Sequence, residues 1–429
     1  MRSSGWPRRV PGLILLLGLA VGGCRGPGPG PSAQGSGAEG PPAPSGARVV
    51  PSEGLEADLV AVEAFFDTRP RVERPIRTTG LDGVQGVGAL SAEACRACHP
   101  AIYDEWRSSI HSQAWIDPQL QGELEKSDNR WLCLSCHTPL LVQHDRWPRG
   151  LVDGDVERPI VSANPRFDPA LREEGITCTA CHLLGDRIGG PGIAQGQAPH
   201  PVAVDPRFRS GELCLSCHQA SAIYEGKSFI CVFDTGREWR EGPYDDEGQT
   251  CVDCHMPPIE RPVGLTGPPR QVRRHWWRGA GIPKIEGRYP PAEANVPGLG
   301  LSAEAQGAAL SLTLSNANAG HLLPTGDPER WIQIDVTFTD ASGGTVGSPF
   351  QHRIGQIWEW STPPRKRSDN RLAPREVRRL SVAIPAGASQ ASIEASSHRI
   401  SEDNAGYHGL DGYPRSVGTH HLEVALSPP

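Results

Sequence analysis

Five copies of the pentapeptide C-x-x-C-H constrain this chain of 429 residues more than any other feature of its sequence. The copies are CRACH, CLSCH, CTACH, CLSCH and CVDCH, at residues 95–99, 133–137, 178–182, 214–218 and 251–255. They contain ten of the twelve cysteines, whereas chance placement of 12 cysteines and 15 histidines would give about 0.01 copies. The fold must therefore provide five similar sites for whatever group this motif binds.

Paired cysteines serve three chemistries in proteins, and only one of them uses every residue of this motif. Disulfides are usual in exported proteins, but they need no histidine beside each pair. Structural zinc sites combine two cysteine pairs into four ligands, and five pairs cannot be grouped in that way. Covalent c-type haem uses both thiols for the porphyrin vinyl groups and the adjacent imidazole for the iron. We therefore predict five covalently bound c-type haems.

The attachment residues and the proximal iron ligands follow directly from the motif. The attachment cysteines are Cys95, Cys98, Cys133, Cys136, Cys178, Cys181, Cys214, Cys217, Cys251 and Cys254. The proximal ligands are His99, His137, His182, His218 and His255. These histidines are 38, 45, 36 and 37 residues apart, and segments of about 40 residues are too short to enclose a haem alone. The haems are therefore expected to share walls and to lie close enough to exchange electrons.

A second imidazole is needed wherever an iron is coordinated from both sides. The segment AIYDEWRSSIHSQAW (101–115) follows Pro100 and has the apolar periodicity of a helix. A helix over this segment would place His111 about 18 Å from its start, at about 1.5 Å per residue. His111 is therefore expected to reach a neighbouring haem rather than the haem held by His99.

Several haem segments resemble those of the cytochrome c-552/4 family, which includes tetrahaem cytochrome c-554. The first has C-x-x-C-H followed by Trp, Ser and His; GITCTACH followed by APHP is similar to the third; GELCLSCH is similar to the next. The segment TGREWREGPYDDEGQTCVDCHMPP, followed by RRHWWRG, is similar to a recurring segment of larger multihaem cytochromes. The resemblance covers roughly residues 90–280. The fifth haem and the C-terminal part depart from the family pattern.

The resemblance implies distal iron ligands at His111, His200 and His275. Two places remain open if all five irons carry two histidines, and His144 and His321 are the nearest remaining candidates in sequence. The alternative is one five-coordinate haem, which some family members have.

The N-terminus has the features of an export signal with a lipidation site. Arginines at positions 2, 8 and 9 precede an apolar stretch (13–21) too short to span a bilayer, and VGGC then ends at Cys24. We predict a signal peptide over 1–23, lipidation of Cys24, and a disordered tether over 24–48 that is rich in Gly and Pro. The protein is expected in the periplasm or at the cell surface, anchored to a bacterial membrane.

The C-terminal part has the alternation of polar and apolar residues that is typical of β-strands. Five such segments lie at 308–316, 331–340, 376–385, 391–400 and 420–427, and ASGG after the second is a hairpin-type turn. We predict an antiparallel, immunoglobulin-like β-sandwich over 300–429. It follows a mainly α-helical and irregular pentahaem cytochrome c domain over 49–295. A docking or assembly role is one hypothesis for the sandwich.

Two functions are compatible with five haems in an exported chain. An electron carrier would relay electrons between periplasmic or cell-surface redox proteins, and we favour this function. A multihaem oxidoreductase would act on a small nitrogen or oxygen species at a five-coordinate haem. The sequence has no C-x-x-C-K variant, which marks the catalytic haem of nitrite reductases, and we assign no catalytic residue. The net charge of −7 argues against a nucleic-acid partner.

Overall fold

The computed structural model describes residues 46–67, 82–126, 130–192, 198–223, 230–277, 279–291 and 296–426. The predicted signal peptide, Cys24 and most of the predicted tether lie outside these residues. Arg48, the last residue of the predicted tether, belongs to a short strand. Among the helices described, none combines the length and the hydrophobicity of a membrane-spanning segment.

Short helices joined by irregular segments dominate the described residues between 46 and 291. The helices of the whole described chain are α1 (Leu55–Asp67), α2 (Ala92–Arg96), α3 (Pro100–Ser108), α4 (Pro118–Lys126), α5 (Arg130–His137), α6 (Pro169–Arg172), α7 (Cys178–His182), α8 (Arg207–Ser210), α9 (Glu212–His218), α10 (Thr235–Arg240), α11 (Pro243–Asp246), α12 (Cys251–His255) and α13 (Glu402–Tyr407). Helices this short are marginal in isolation. Their stability therefore depends on what they pack against.

The sheets of the same region are also small. Their strands are β1 (Arg48–Val49), β2 (Arg146–Leu151), β3 (Pro159–Ala163), β4 (Leu183–Leu184), β5 (Arg187–Gly190), β6 (Val202–Val204), β7 (Ala220–Ile223), β8 (Ile230–Phe233), β9 (Pro258–Arg261) and β10 (Arg270–Arg273). The strand orders are β1-β3-β2, β4-β5-β6, β7-β8 and β10-β9. The β1–β3 and β5–β6 pairs are parallel, and the other pairs are antiparallel.

Each C-x-x-C-H motif starts in a helix and has its histidine at or just beyond the C-terminal end of that helix. In the second to fifth motifs the histidine is the last residue of α5, α7, α9 or α12. In the first motif α2 ends at Arg96, and His99 immediately precedes α3. Cysteines three positions apart on a helix lie on the same face. The motif therefore presents both thiols and the imidazole in one direction.

The largest apolar cluster of this region surrounds two aromatic residues of α1. Phe65 and Phe66 lie with their ring centroids 5.2 and 6.3 Å from the ring of Trp131 in α5. Trp147 and Leu183 are buried in the same cluster. This core fixes the helix of the second motif, whereas much of the remaining interior is a large cavity.

The helix predicted over residues 101–115 is wrong in its extent. α3 ends at Ser108, and Ser109 has extended backbone angles. The hydroxyl groups of Ser108 and Ser109 donate to carbonyl oxygens of the preceding turn, at 2.8 and 2.7 Å. Local bonds of this kind compete with continuation of a helix. The chain therefore changes direction, and His111 begins a separate 3-10 turn.

The C-terminal part consists of two antiparallel sheets and α13. The strands are β11 (Leu299–Gln306), β12 (Ala309–Asn316), β13 (Trp331–Thr339), β14 (Phe350–Glu359), β15 (Arg365–Asp369), β16 (Val377–Ala383), β17 (Gln390–His398) and β18 (Ser416–Ala425). They are ordered β11-β12-β16 in one sheet and β15-β14-β13-β17-β18 in the other. Inward residues of both sheets, such as Leu312 and Ile334, are fully buried in one shared core.

This arrangement confirms the predicted antiparallel strands, while the immunoglobulin-like topology stays a prediction. All five predicted segments contain a strand. The sequence pattern does not identify β11, β14 and β15. Every residue of β15 is exposed, so this strand lacks the apolar alternation that marks a half-buried strand.

Candidate haem cavity

A continuous cavity of about 3850 Å³ runs through the helical region and reaches the C-terminal sheets. All ten motif cysteines and all five motif histidines line it. Pockets for ordinary small molecules measure about 300–1,000 Å³, so this cavity has room for several large groups. A mainly apolar wall that carries thiols and imidazoles fits covalently attached macrocycles with an axially coordinated metal.

Three motif histidines have a backbone carbonyl oxygen within hydrogen-bond distance of Nδ1. The distances are 2.9 Å from His99 to Val263, 3.0 Å from His137 to Ala114 and 2.7 Å from His182 to Gly189. A carbonyl oxygen can only accept, so Nδ1 carries the proton in each case. Nε2 then remains available to bind a metal. Metal-bound imidazoles commonly donate from their other nitrogen in this way.

Three motif histidines face a second histidine inside the cavity. Ring centroids are 6.2 Å apart for His218 and His111, 6.3 Å for His182 and His275, and 6.3 Å for His255 and His321. A metal between two imidazoles separates the centroids by about 6.4 Å, from metal–nitrogen bonds of about 2.0–2.1 Å and about 1.15 Å between nitrogen and ring centre. Each ring pair therefore has the spacing that one coordinated iron requires.

Burial keeps these imidazoles neutral near pH 7. It lowers the pKa of His111 to about 3 and the pKa values of His218, His275 and His321 to about 4. Neighbouring histidines act in the same direction, because a second positive charge nearby disfavours protonation. Neutral imidazole is the form that binds a metal.

The two other candidate distal ligands differ in their placement. His200 lines the cavity, and its Nδ1 is 3.4 Å from the carbonyl oxygen of Pro201. His144 is buried but does not belong to the cavity lining, and its Nε2 lies 2.8 Å from the carbonyl oxygen of Thr138. The structure thus brings every candidate distal ligand except His144 to the cavity.

The 3-10 turn that carries His111 is held by the segment that precedes the third motif. The carbonyl oxygen of His111 accepts from the Ile176 N–H at 3.1 Å, and the indole of Trp106 donates to the Ile176 carbonyl oxygen at 2.8 Å. Gly175 approaches so closely that a Cβ atom there would lie 3.0 Å from the His111 carbonyl oxygen. The first and third haem segments therefore act together to place His111 against His218 of the fourth.

Two pairs of motifs adjoin one another in the fold. The thiols of Cys95 and Cys178 are neighbours that shift each other's pKa values, and so are those of Cys214 and Cys251. Gly211 borders the second of these contacts, since a Cβ atom there would be 2.9 Å from the sulfur of Cys251. The first attachment site is therefore next to the third, and the fourth is next to the fifth.

Trp277 of the RRHWWRG segment lines the cavity, although it is not among the predicted ligands. Its ring lies edge-on to two paired histidines, with centroids 4.5 Å from His111 and 5.1 Å from His275. Its φ of 44° is in the left-handed region, which costs a non-glycine residue roughly 1–2 kcal/mol. Strain of this kind concentrates at functional sites. The indole contacts His275, which pairs with His182 of the third motif, and His111, which pairs with His218 of the fourth. It therefore restrains both ring pairs.

We expect Trp277→Ala to lower the free energy of unfolding by about 2–3 kcal/mol, somewhat less than a fully buried aromatic residue. Two imidazoles would also lose their common neighbour and reorient. Low-temperature EPR of the haem-loaded protein would then show altered low-spin g-values for two haems. Trp277→Phe keeps a ring and serves as the matched control. Identical spectra for the wild type and Trp277→Ala would contradict this role.

Residues 94–150 match the family described as Cytochrome c554 and c-prime. A comparison with curated protein sequences finds no significant match. Among solved structures, the penta-heme cytochrome c552 from Thermochromatium tepidum aligns with 78% of this chain and 98% of its own, at a TM-score of 0.54 and 18% identity. Likeness at this identity shows a shared fold alone. The family match and the fold together confirm the predicted resemblance to multihaem c-type cytochromes.

Two further structures align with 30% of the chain each. They are a superoxide reductase in the oxidised state and the protein PH1083 from Pyrococcus horikoshii, which align over 86% and 87% of their own chains. Both are 12% identical, and their TM-scores are 0.16 and 0.15. Scores this low support no conclusion about fold or function.

Proposed function

We propose that this multihaem c-type cytochrome carries five covalent haems and transfers electrons between exported redox proteins. One observation supports this function above all: a continuous cavity is lined by all five pairs of motif cysteines and all five motif histidines. Bound c-type haem supplies reversible one-electron chemistry. Attachment sites that adjoin one another along a single cavity suit a chain that must hold several such groups close together.

The contribution of the chain is to position and shield the iron ligands. We assign His218 with His111, and His182 with His275, as axial pairs on the basis of their ring separations of 6.2 and 6.3 Å. His200 is a further distal ligand in this proposal because it lines the cavity. Two neutral imidazoles fill both axial positions of an iron. Sites of this kind leave no place for a substrate and therefore favour electron transfer.

Export and anchoring complete the proposal, and they are supported by the sequence. A signal peptide over 1–23 and lipidation of Cys24 would place a haem domain (49–295) and a β-sandwich domain (300–429) outside the cytoplasm. The tether over 24–48 would let the protein reach partners near the membrane. The electron donor and acceptor would be other redox proteins of the periplasm or cell surface.

One feature favours the alternative function, an oxidoreductase acting on a small nitrogen or oxygen species. His137 does not belong to the three ring pairs, and the buried carboxylate of Asp117 and the partly exposed amine of Lys284 act on it electrostatically. Burial lowers the pKa of Lys284 to about 8, although Asp117 opposes this shift. An amine with that pKa can exchange protons near neutral pH. A five-coordinate iron at His137 would therefore have an acid–base group nearby.

Haem counting and low-temperature EPR of the haem-loaded protein test both functions. We expect a haemochrome assay and intact mass to give five haems per chain, and Cys251→Ser/Cys254→Ser to give four. Integration of the EPR signals then decides between the functions. Five low-spin irons support a carrier, whereas one high-spin equivalent that shifts on adding cyanide supports the oxidoreductase. A count below five in the wild type would contradict the proposed cofactor content.

A further inference from the structure

We propose that the C-terminal sheets complete the fifth haem site, with His321 as the iron ligand opposite His255. The inference rests on the proposed function, since it requires haem at Cys251 and Cys254. It gives the C-terminal part a specific role: the loop between β12 and β13 supplies one axial ligand to a haem attached in the helical region.

The two rings have the geometry of an axial pair. Their centroids are 6.3 Å apart, and the ring planes are inclined by only 13°. The separation agrees with the roughly 6.4 Å expected for two imidazoles on one metal. It also equals the separation of His182 and His275, which lie within the helical region. His255 and His321 both line the cavity.

The hydrogen bonding of His321 leaves the correct nitrogen available. Its Nδ1 lies 2.9 Å from the carbonyl oxygen of Leu322, which can only accept a hydrogen bond. The proton is therefore on Nδ1, and the unprotonated Nε2 is left to coordinate. His99, His137 and His182 show the same arrangement through other carbonyl groups.

The loop that carries His321 is anchored to the sheets on both sides of the histidine. The buried amide of Asn316 donates to the carbonyl oxygens of His321 and Leu372, at 2.9 and 3.2 Å. Leu323 exchanges two backbone hydrogen bonds with Leu372, at 2.9 and 3.0 Å. A ligand on a loop fixed in this way needs little further ordering when it binds a metal.

Polar contacts join this loop, and the segment between β15 and β16 that is bonded to it, to the helices just before the fifth motif. Glu238 of α10 is buried and accepts hydrogen bonds from Arg371 and from Thr325, each at 2.6 Å. Glu247, which follows α11, accepts two hydrogen bonds from Arg375, each at 2.7 Å. Because α10 and α11 precede α12, these contacts set the distance between the two halves of the site.

His321→Ala is expected to convert one low-spin haem per chain into a high-spin haem, seen by EPR and by the near-infrared charge-transfer band. Added imidazole should restore the low-spin signal, because it can enter the vacated axial position. His321→Met keeps an axial donor and should raise the midpoint potential of one haem. The methionine variant also provides a measurement if the alanine variant does not fold.

His421→Ala is the matched control, because His421 is an exposed histidine of β18 with Glu394 and Glu423 as its neighbours. It should leave the spin state and all potentials unchanged. If His321→Ala contains no more high-spin haem than the wild type and the control, the inference is overturned. Mass analysis of the peptide that contains residues 251–255 distinguishes a failure of this inference from a failure of the proposed function. Absence of haem there in the wild type would instead contradict the proposed function.

Discussion

Without haem, the helical region of this chain should lose its compact structure while the C-terminal sheets remain folded. The experiment replaces all ten motif cysteines by serine in the full chain. Without haem, the mainly apolar wall of the cavity of about 3850 Å³ would face water, and each Å² of apolar surface left in water costs about 25 cal/mol. The stability of a domain is only about 5–15 kcal/mol, so exposure of a wall this large is enough to unfold the region. The sheets, in contrast, have a core formed entirely by residues between Leu299 and Leu426.

Hydrogen exchange followed by mass spectrometry of the intact chain measures both regions in one sample. We expect fast exchange across α2, α3 and α7 to α12, and slow exchange in β12, β13 and β17. The haem-loaded wild type, in the same buffer, should protect both regions. Slow exchange across α9 and α12 in the haem-free variant would show that side chains alone support the helical region.

The predicted attachment sites depend on chemistry that is local in the sequence. Two thiols and an imidazole must lie within five residues of the chain, so the motif is complete in the sequence. The antiparallel strands are predicted for a similar reason, because apolar alternation depends on neighbouring residues alone. The sequence does not predict β15, because this strand is exposed along its length and has no such alternation.

The proposed distal ligands are harder to predict, because each depends on contacts between distant segments. His111 meets His218 through a 3-10 turn held by Ile176, and this contact replaces the predicted long helix. His144 is a candidate in the sequence, and in the structure its Nε2 lies 2.8 Å from the carbonyl oxygen of Thr138. Trp277 lies two residues after His275 in the RRHWWRG segment, but the sequence does not predict its contact with His111. Tertiary packing decides each of these cases.

A buried carboxylate, Glu105 of α3, joins the first haem segment to the segment that carries His275. Its oxygens accept from Arg261 at 2.7 and 2.8 Å, from Arg274 at 2.7 Å, and from the backbone N–H of His275 at 2.9 Å. Burial raises the pKa of Glu105, but these hydrogen bonds outweigh burial and hold the pKa below its ordinary value of 4.5. The ionised carboxylate therefore balances two half-buried arginines.

We expect Glu105→Gln to lower the free energy of unfolding of the haem-loaded protein by about 2–3 kcal/mol. This is less than the roughly 3–5 kcal/mol for breaking a fully buried ion pair, because both arginine partners are partly exposed. The effect should depend on pH. Because the folded pKa is depressed, ionised Glu105 contributes fully above its unfolded pKa, and the contribution is lost as pH falls through the folded pKa. The difference between wild type and variant should therefore narrow below about pH 4.5. Guanidinium titrations at several pH values measure it.

Glu93→Gln is the control, because Glu93 is an exposed carboxylate whose partner, Arg96, is also exposed. Exposed ion pairs contribute little to stability, so this variant should unfold like the wild type. An equally small loss in Glu105→Gln would show that the two arginines do not depend on this carboxylate. Since Glu105 also holds the backbone of His275, its loss should raise the high-spin signal of one haem. Destabilisation without that signal would make Glu105 structural and leave His275 positioned by other contacts.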